Sequence, residues 1–135
     1  MILIPVVDLL GGQVVHALRG DRRAYRPVVS ALCAGSDPVT VARSLCAHCA
    51  ARRLYVTDLD ALLGGVPQVP VLRALLQALP AVKLWLDAGL ADPAAVRALH
   101  DHIGPAAARI VTVFGSESLR TPQQLERCFG NHEGR

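Results

Sequence analysis

At 135 residues with 52% hydrophobic content the chain is long enough to bury a core, and aromatic residues at only 4% leave the packing to aliphatic side chains. The net charge of +3 comes from scattered arginine, with no Lys/Arg block and no basic stripe interleaved with aromatics, which excludes a dedicated nucleic-acid binder and leaves a small anionic ligand compatible. No apolar run reaches membrane-spanning length, and Met1-Ile2-Leu3-Ile4 lacks a basic region and meets Pro5 and Asp8 too soon for a secretory signal, so a cytoplasmic protein without a membrane partner is expected.

The chain reads as strand then helix, four times over. A first strand is expected at about residues 2–8. Gly11-Gly12 follows it, and Val14-Val15-His16-Ala17-Leu18 is a short excursion with the pattern of a hairpin partner. A long loop then runs to Ser36. Asp37-Pro38 supplies an N-cap and a proline at the first helical position, opening an alanine-rich helix expected to end near Ala51. A second strand is expected at about 53–58. Gly64-Gly65 and Pro67 interrupt the chain before a helix at about 68–79, where Val69, Leu72, Leu75, Leu76 and Leu79 recur at helical spacing until Pro80 stops it. A third strand spans about 82–87, Asp92-Pro93 repeats the cap-then-proline signal, and a third helix runs to about His102. A fourth strand is expected at about 109–114. Thr121-Pro122-Gln123-Gln124 then reads as a capping box opening a last helix over about 121–129. No composition shift marks a second domain, so residues 1–135 are read as one domain with a polar tail at about 130–135.

Three of the apolar runs end on an aspartate: Ile4-Pro5-Val6-Val7-Asp8, Leu54-Tyr55-Val56-Thr57-Asp58 and Leu84-Trp85-Leu86-Asp87. The fourth, Arg109-Ile110-Val111-Thr112-Val113-Phe114, ends on Gly115-Ser116. Continuously apolar strands are buried on both faces, as in a parallel sheet, and βα units bring their carboxyl ends to one rim. The chemistry is expected on that rim. The C-x-x-C of Cys46 and Cys49 encloses His48, but a zinc site needs further ligands at suitable spacing and none follows. Small thiols on a helix of a reduced protein are common. No metal site and no cofactor is assigned.

The residues Ile4-Pro5-Val6-Val7-Asp8-Leu9-Leu10-Gly11-Gly12-Gln13-Val14-Val15, Gly20-Asp21, Gly35-Ser36-Asp37-Pro38, Tyr55-Val56-Thr57-Asp58-Leu59-Asp60-Ala61 and Val113-Phe114-Gly115-Ser116 resemble the phosphoribosyl isomerases and cyclases of histidine biosynthesis. Those enzymes are (βα)₈ barrels, and the resemblance covers their first four βα units. It implies an α/β fold, a parallel (βα)₄ half of a TIM barrel. The family is an internal duplication with one catalytic aspartate and one phosphate site in each half. The first aspartate maps onto Asp8; its counterpart on strand five would lie beyond Arg135. The implied reaction is an Amadori-type rearrangement of an aminoaldose to an aminoketose on a phosphoribosyl imidazole carboxamide, with a phosphorylated small molecule as substrate.

Ring opening in that reaction needs a proton delivered to the ribose oxygen, and enolisation needs one removed beside the imine. Asp8 suits either task; taken alone, it equally suits capping the Gly11-Gly12 turn. Glycine-rich loops hold phosphate through backbone N–H groups, and Gly115-Ser116 lies where the family places such a loop, although a tight βα turn has the same sequence. After strand three the family has consecutive glycines, whereas this chain reads Asp87-Ala88-Gly89, with a carboxylate that repels phosphate unless it is paired or turned away. Gly89, Gly115 and Ser116 are thus the phosphate candidates. Asp58, Asp60, Asp87 and Arg19 are assigned supporting roles. His16 and Arg22 are further sources of positive charge in the first loop, His16 being of a type that more often faces solvent.

Gln13-Val14-Val15-His16-Ala17, Tyr25-Arg26-Pro27, Leu84-Trp85-Leu86-Asp87 and Gly115-Ser116-Glu117-Ser118 also resemble isomerase-like proteins carried by one-carbon-metabolising bacteria beside tetrahydromethanopterin-linked genes. Two function classes follow: a sugar-phosphate isomerase, or an inactive or repurposed half-barrel. The expected architecture is four-stranded and all-parallel with outer helices. Asp8, Asp58 and Asp87 should cluster with Gly115 on the carboxyl rim. Strand edges near 2–8 and 109–114 should be unpaired, and an aliphatic inner face of Val6, Val56, Leu86 and Val113 exposed, which favours a homodimer or a partner half-barrel.

Overall fold

A run that is apolar at every position favours cover on both faces and neighbours along both edges. In the computed structural model, which describes residues 1–18 and 20–129, six strands lie side by side in the order β3-β2-β1-β4-β5-β6. They are β1 (Val6–Leu10), β2 (Gln13–His16), β3 (Arg26–Pro27), β4 (Arg53–Asp58), β5 (Lys83–Asp87) and β6 (Ile110–Thr112). β1, β4, β5 and β6 are parallel neighbours. The helices are α1 (Pro38–His48), α2 (Leu59–Leu62), α3 (Val69–Ala78), α4 (Pro93–Ile103) and α5 (Pro122–Phe129).

Alternate strand positions point to opposite faces. Val7 and Leu9 of β1, Leu54 and Val56 of β4, Leu84 and Leu86 of β5 and Ile110 of β6 form one core with Val41, Ala42 and Cys46 of α1, Leu72, Leu75 and Leu76 of α3, and Leu99 and Ile103 of α4. Burial of each large aliphatic side chain there contributes about 1.5–3 kcal/mol. The helices therefore cover one face of the sheet, as right-handed crossovers between parallel strands require. The other face is left open: Val6 is 57% and Val111 41% exposed.

The helix starts follow their sequence signals. Asp37 accepts from the Thr40 backbone N–H at 2.8 Å and Asp92 from that of Ala95 at 2.9 Å, each just before a proline at the first helical turn. At α5, Thr121 Oγ1 accepts from the Gln124 N–H at 3.3 Å, and Gln124 Oε1 accepts in return from the Thr121 N–H at 3.2 Å. At the other end of α3 the Arg109 guanidinium donates to the carbonyls of Leu79 at 2.8 Å and Val82 at 2.9 Å, and also to that of Leu76.

Four expectations are corrected. The sheet is mixed, because Gly11 and Gly12, at φ of 56° and 79°, make the tight turn that folds β2 back antiparallel on β1, and β3 adds to β2. The carboxyl-terminal half of β1, from Asp8 to Leu10, is consequently paired rather than a free edge. The first strand also begins later than expected and runs past Asp8. Pro5 has no N–H to give a ladder, while the hairpin draws Leu9 and Leu10 into one. Finally, Val56 and Leu86 belong to the helix-covered core and not to the open face, and aromatic and charged side chains occupy the open positions between them. The tail at 130–135 lies outside the described residues.

The Thr40 N–H holds the Asp37 carboxyl below its ordinary range, with the Thr40 hydroxyl adding to the effect. Its contribution to stability is thus present above the ordinary carboxylate value and lost as pH falls through the lowered one. Asp37→Ala is expected to cost about 1 kcal/mol in urea unfolding at neutral pH, with the gap to the parent closing in strong acid.

Candidate active site

The carboxyl end of β4 and the β1–β2 turn are tied together through Asp58. Its carboxylate is fully buried and accepts from the Ala61 N–H at 3.1 Å, the Gln68 N–H at 2.7 Å and Gln68 Nε2 at 3.1 Å. It caps α2 and fixes the loop leading into α3. Gln68 in turn accepts from the Gly12 N–H at 2.8 Å, and Asp60 accepts from the Gly11 N–H at 2.9 Å. Both N–H groups of the β1–β2 turn are thereby held by residues after β4. The turn is capped by Asp60 and Gln68, so capping does not account for Asp8.

Parity separates the aspartates. Asp58 shares its face with Leu54 and Val56, toward the helices, whereas Asp8 and Asp87 fall on the open face. The ladder arranges that face in rows. Asp8 stands opposite Thr57 and Thr57 opposite Asp87; one row nearer the amino end Val6, Tyr55, Trp85 and Val111 are successive neighbours; a row further, Arg53 stands opposite Lys83. All three aspartates lie toward the carboxyl ends of their strands, but there Asp58 turns to the helices, one residue out of phase with Asp8 and Asp87.

Tyr55 links the middle row to the carboxylates. Its hydroxyl donates to Asp87 Oδ2 over a long 3.4 Å. Burial, and after it the carboxylates of Asp87, Glu117 and Asp8, push the phenol above its ordinary value. It keeps its proton and remains a donor toward a carbonyl or anionic oxygen. Asp87 is 8% exposed and its Oδ1 accepts from the Gly89 N–H at 3.3 Å. Gly89 has φ +64°, and a Cβ there would meet Leu62 Cδ2 at 3.1 Å.

At the end of β6 the chain's own carboxylate occupies the glycine loop. A Cβ on Gly115 would lie 2.6 Å from Glu117 Oε1, and the Ser116 hydroxyl is 3.5 Å from Glu117 Oε2. The loop is closed by the Ser118 N–H donating to the Gly115 carbonyl at 3.0 Å. Of the cations assigned from sequence, Arg19 lies outside the described residues; His16 ends β2, exposed, and Arg22 opens a short 3-10 turn. Cys46 and Cys49 are free thiols, and burial, with Cys49 adding to it, raises the Cys46 thiol above its ordinary value.

Tyr55, Gln68 and Glu117 had no assigned role in the sequence reading. Gln68 carries no local signal, since its partner Gly12 is 56 residues away. Tyr55 is found once β4 and β5 are set in register.

The family model described as histidine biosynthesis protein matches residues 2–134. A 1-(5-phosphoribosyl)-5-((5-phosphoribosylamino)methylideneamino) imidazole-4-carboxamide isomerase of Nitrosococcus oceani is 32% identical over 123 residues, covering 90% of this chain and 45% of that protein. An isomerase of the same description from Sorangium cellulosum is 32% identical over 138 residues, covering 100% of this chain and 52% of its own length. An uncharacterised protein of Methanocaldococcus jannaschii is 31% identical over 75 residues, 56% of this chain and 33% of that protein. The chain spans between a third and about half of the length of these curated relatives.

In a Tyr25→Phe background, which leaves Tyr55 as the single tyrosine, phenolate absorbance is expected to titrate above the ordinary value of about 10. Asp87→Asn should bring it down most, followed by Glu117→Gln and Asp8→Asn. With the folded pKa raised, the associated stability is present below the ordinary phenol value and lost as pH rises through the raised one.

Proposed function

The chain belongs to the histidine biosynthesis protein family, whose fold is the TIM barrel, and on that premise we propose that it is a phosphoribosyl isomerase-like half-barrel. In this reading residues 1–135 form one (βα)₄ domain, with β1, β4, β5 and β6 as the barrel strands and the β2–β3 hairpin as an appendage of the first loop. The substrate is a phosphorylated aminoaldose of the kind named in the isomerase relatives, and the reaction is its Amadori-type conversion to the aminoketose.

The observation that carries the reading is the position of Asp8. It stands on the open face, in one row with Thr57 and Asp87, while the turn beside it is capped by other groups. A carboxyl so placed delivers a proton to the ring oxygen as the C1–O bond breaks and the nitrogen lone pair forms the C1=N bond. As a carboxylate, it removes the C2 proton, whose electron pair forms the C1=C2 enamine as C=N accepts electrons. Reprotonation at C1 with loss of the enol proton gives the ketone. A single carboxyl performs one of these tasks well at a given moment. A homodimer or a partner half-barrel would bring the second, through the free edge of β6 and the amino-terminal part of β1 not paired with the hairpin. Gly115 and Ser116, with Gly89 beside them, are proposed to hold phosphate once Glu117 moves off the loop, and Asp58, Asp60 and Asp87 to hold the rim in shape; Arg19 is kept as a candidate cation.

A second reading, an inactive or repurposed half-barrel of the type linked to one-carbon metabolism, is favoured by Glu117 and Asp87. Their carboxylates occupy the neighbourhood of Gly115 and the N–H of Gly89, where an incoming phosphate meets like charge.

One set of measurements separates the two. On the isomerase reading, Asp8→Asn lowers turnover of the phosphoribosyl aminoaldose by about 10²-fold or more, Glu117→Ala tightens calorimetric binding of inorganic phosphate about tenfold, and the chain sediments as an assembly at micromolar concentration. Unchanged turnover removes Asp8 from the mechanism. Phosphate that fails to bind both the parent and Glu117→Ala leaves the repurposed reading.

A further inference from the structure

The open face carries a second cluster at the opposite end of its strands, away from Asp8 and Gly115. Arg53 and Lys83 open β4 and β5, are both exposed, and stand directly opposite one another in the parallel ladder. Like charges so placed repel. Around them lies a concavity of about 620 Å³ bounded also by Arg52, Trp85, Leu3 and Val111, and among the described residues that line it there is no aspartate or glutamate. The cations therefore face each other without a lining carboxylate. The Arg53 guanidinium sits over the Trp85 ring, 5.8 Å from its centroid, an arrangement that holds both groups in place.

We propose that this concavity binds a small organic anion with a flat, unsaturated body. The anionic group sits between Arg53 and Lys83 with Arg52 at the margin, relieving the repulsion between the paired cations. The flat body lies against Trp85 and the apolar Leu3 and Val111. The volume selects for the body as well as the charge, because an inorganic anion alone leaves most of such a space to water. The site shares no residue with the proposed isomerase site.

Trp85 is the single tryptophan of the chain, so its fluorescence reads this concavity directly. Phenyl phosphate carries both features, inorganic phosphate only the charge and phenol only the ring. The expected result is a saturable change in Trp85 emission with phenyl phosphate, at least tenfold weaker with phosphate or phenol. Arg53→Gln and Lys83→Gln, both at exposed positions and checked for folding by circular dichroism, should each weaken phenyl phosphate binding at least fivefold. Glu117→Ala, which the isomerase reading expects to tighten phosphate at the carboxyl rim, should leave it unchanged, which distinguishes binding here from binding there. A change that does not saturate, an affinity indifferent to both Arg53→Gln and Lys83→Gln, or phosphate binding as tightly as phenyl phosphate overturns the proposal.

Discussion

A carboxylate taken out of water must find its partners inside the protein, and the upper part of this fold is arranged around one that does. Asp58 is fully buried, and three donors from Ala61 and Gln68 satisfy it. Hydrogen bonds to a charged group contribute about 1.5–3 kcal/mol each, which offsets the cost of taking the carboxylate out of water. The consequence reaches beyond the cap of α2. Because Gln68 is held by Asp58 on one side and takes the Gly12 N–H on the other, the end of β4 is tied to the β1–β2 turn. Asp60 doubles the tie through Gly11. The direction of β1 at Asp8 is therefore set by residues some fifty positions further along the chain.

With one face of the sheet covered by helices, the strand alternation sends every second residue to the other. That face is ordered by charge along its length. Cations lie at the amino ends, Tyr55 and Trp85 form a cross-strand pair in the middle, and Asp8 and Asp87 lie at the carboxyl ends. The aromatic row connects to both charged rows, through Arg53 over Trp85 and through the Tyr55 hydroxyl to Asp87. Carboxylates and cations are thus kept at opposite ends of one surface, where neither cluster neutralises the other.

The loop after β6 has the composition of a phosphate cradle and, in this structure, the electrostatics of one already filled. Glu117 folds its carboxylate over Gly115 and within reach of the Ser116 hydroxyl. The same field that raises the Tyr55 phenol, from Asp87, Glu117 and Asp8, opposes an incoming anion. Activity on a phosphorylated substrate and retention of this acidic group pull against each other.

Much of the fold was legible in local chemistry. Caps at Asp37, Asp92 and Thr121 and prolines at helix starts are short-range signals, each satisfied by partners within a few residues, and Gly11-Gly12 marks its turn locally although Asp60 and Gln68 hold its N–H groups, so the order of elements followed from the sequence. The positions of Asp8, Asp58 and Asp87 after apolar runs were also visible, but their facing was not. In Leu54-Tyr55-Val56 and Leu84-Trp85-Leu86 both faces are apolar or aromatic, which erases the alternation that would show which side meets the helices. Only packing against α1, α3 and α4 decided that Val56, Leu86 and Asp58 turn inward while Tyr55, Trp85 and Asp87 take the other face. The long-range bonds of Gln68 and Asp60 to the first turn, and the placement of Arg53 opposite Lys83, likewise exist only once the strands are in register, because no local pattern encodes a contact between segments that meet solely through the sheet.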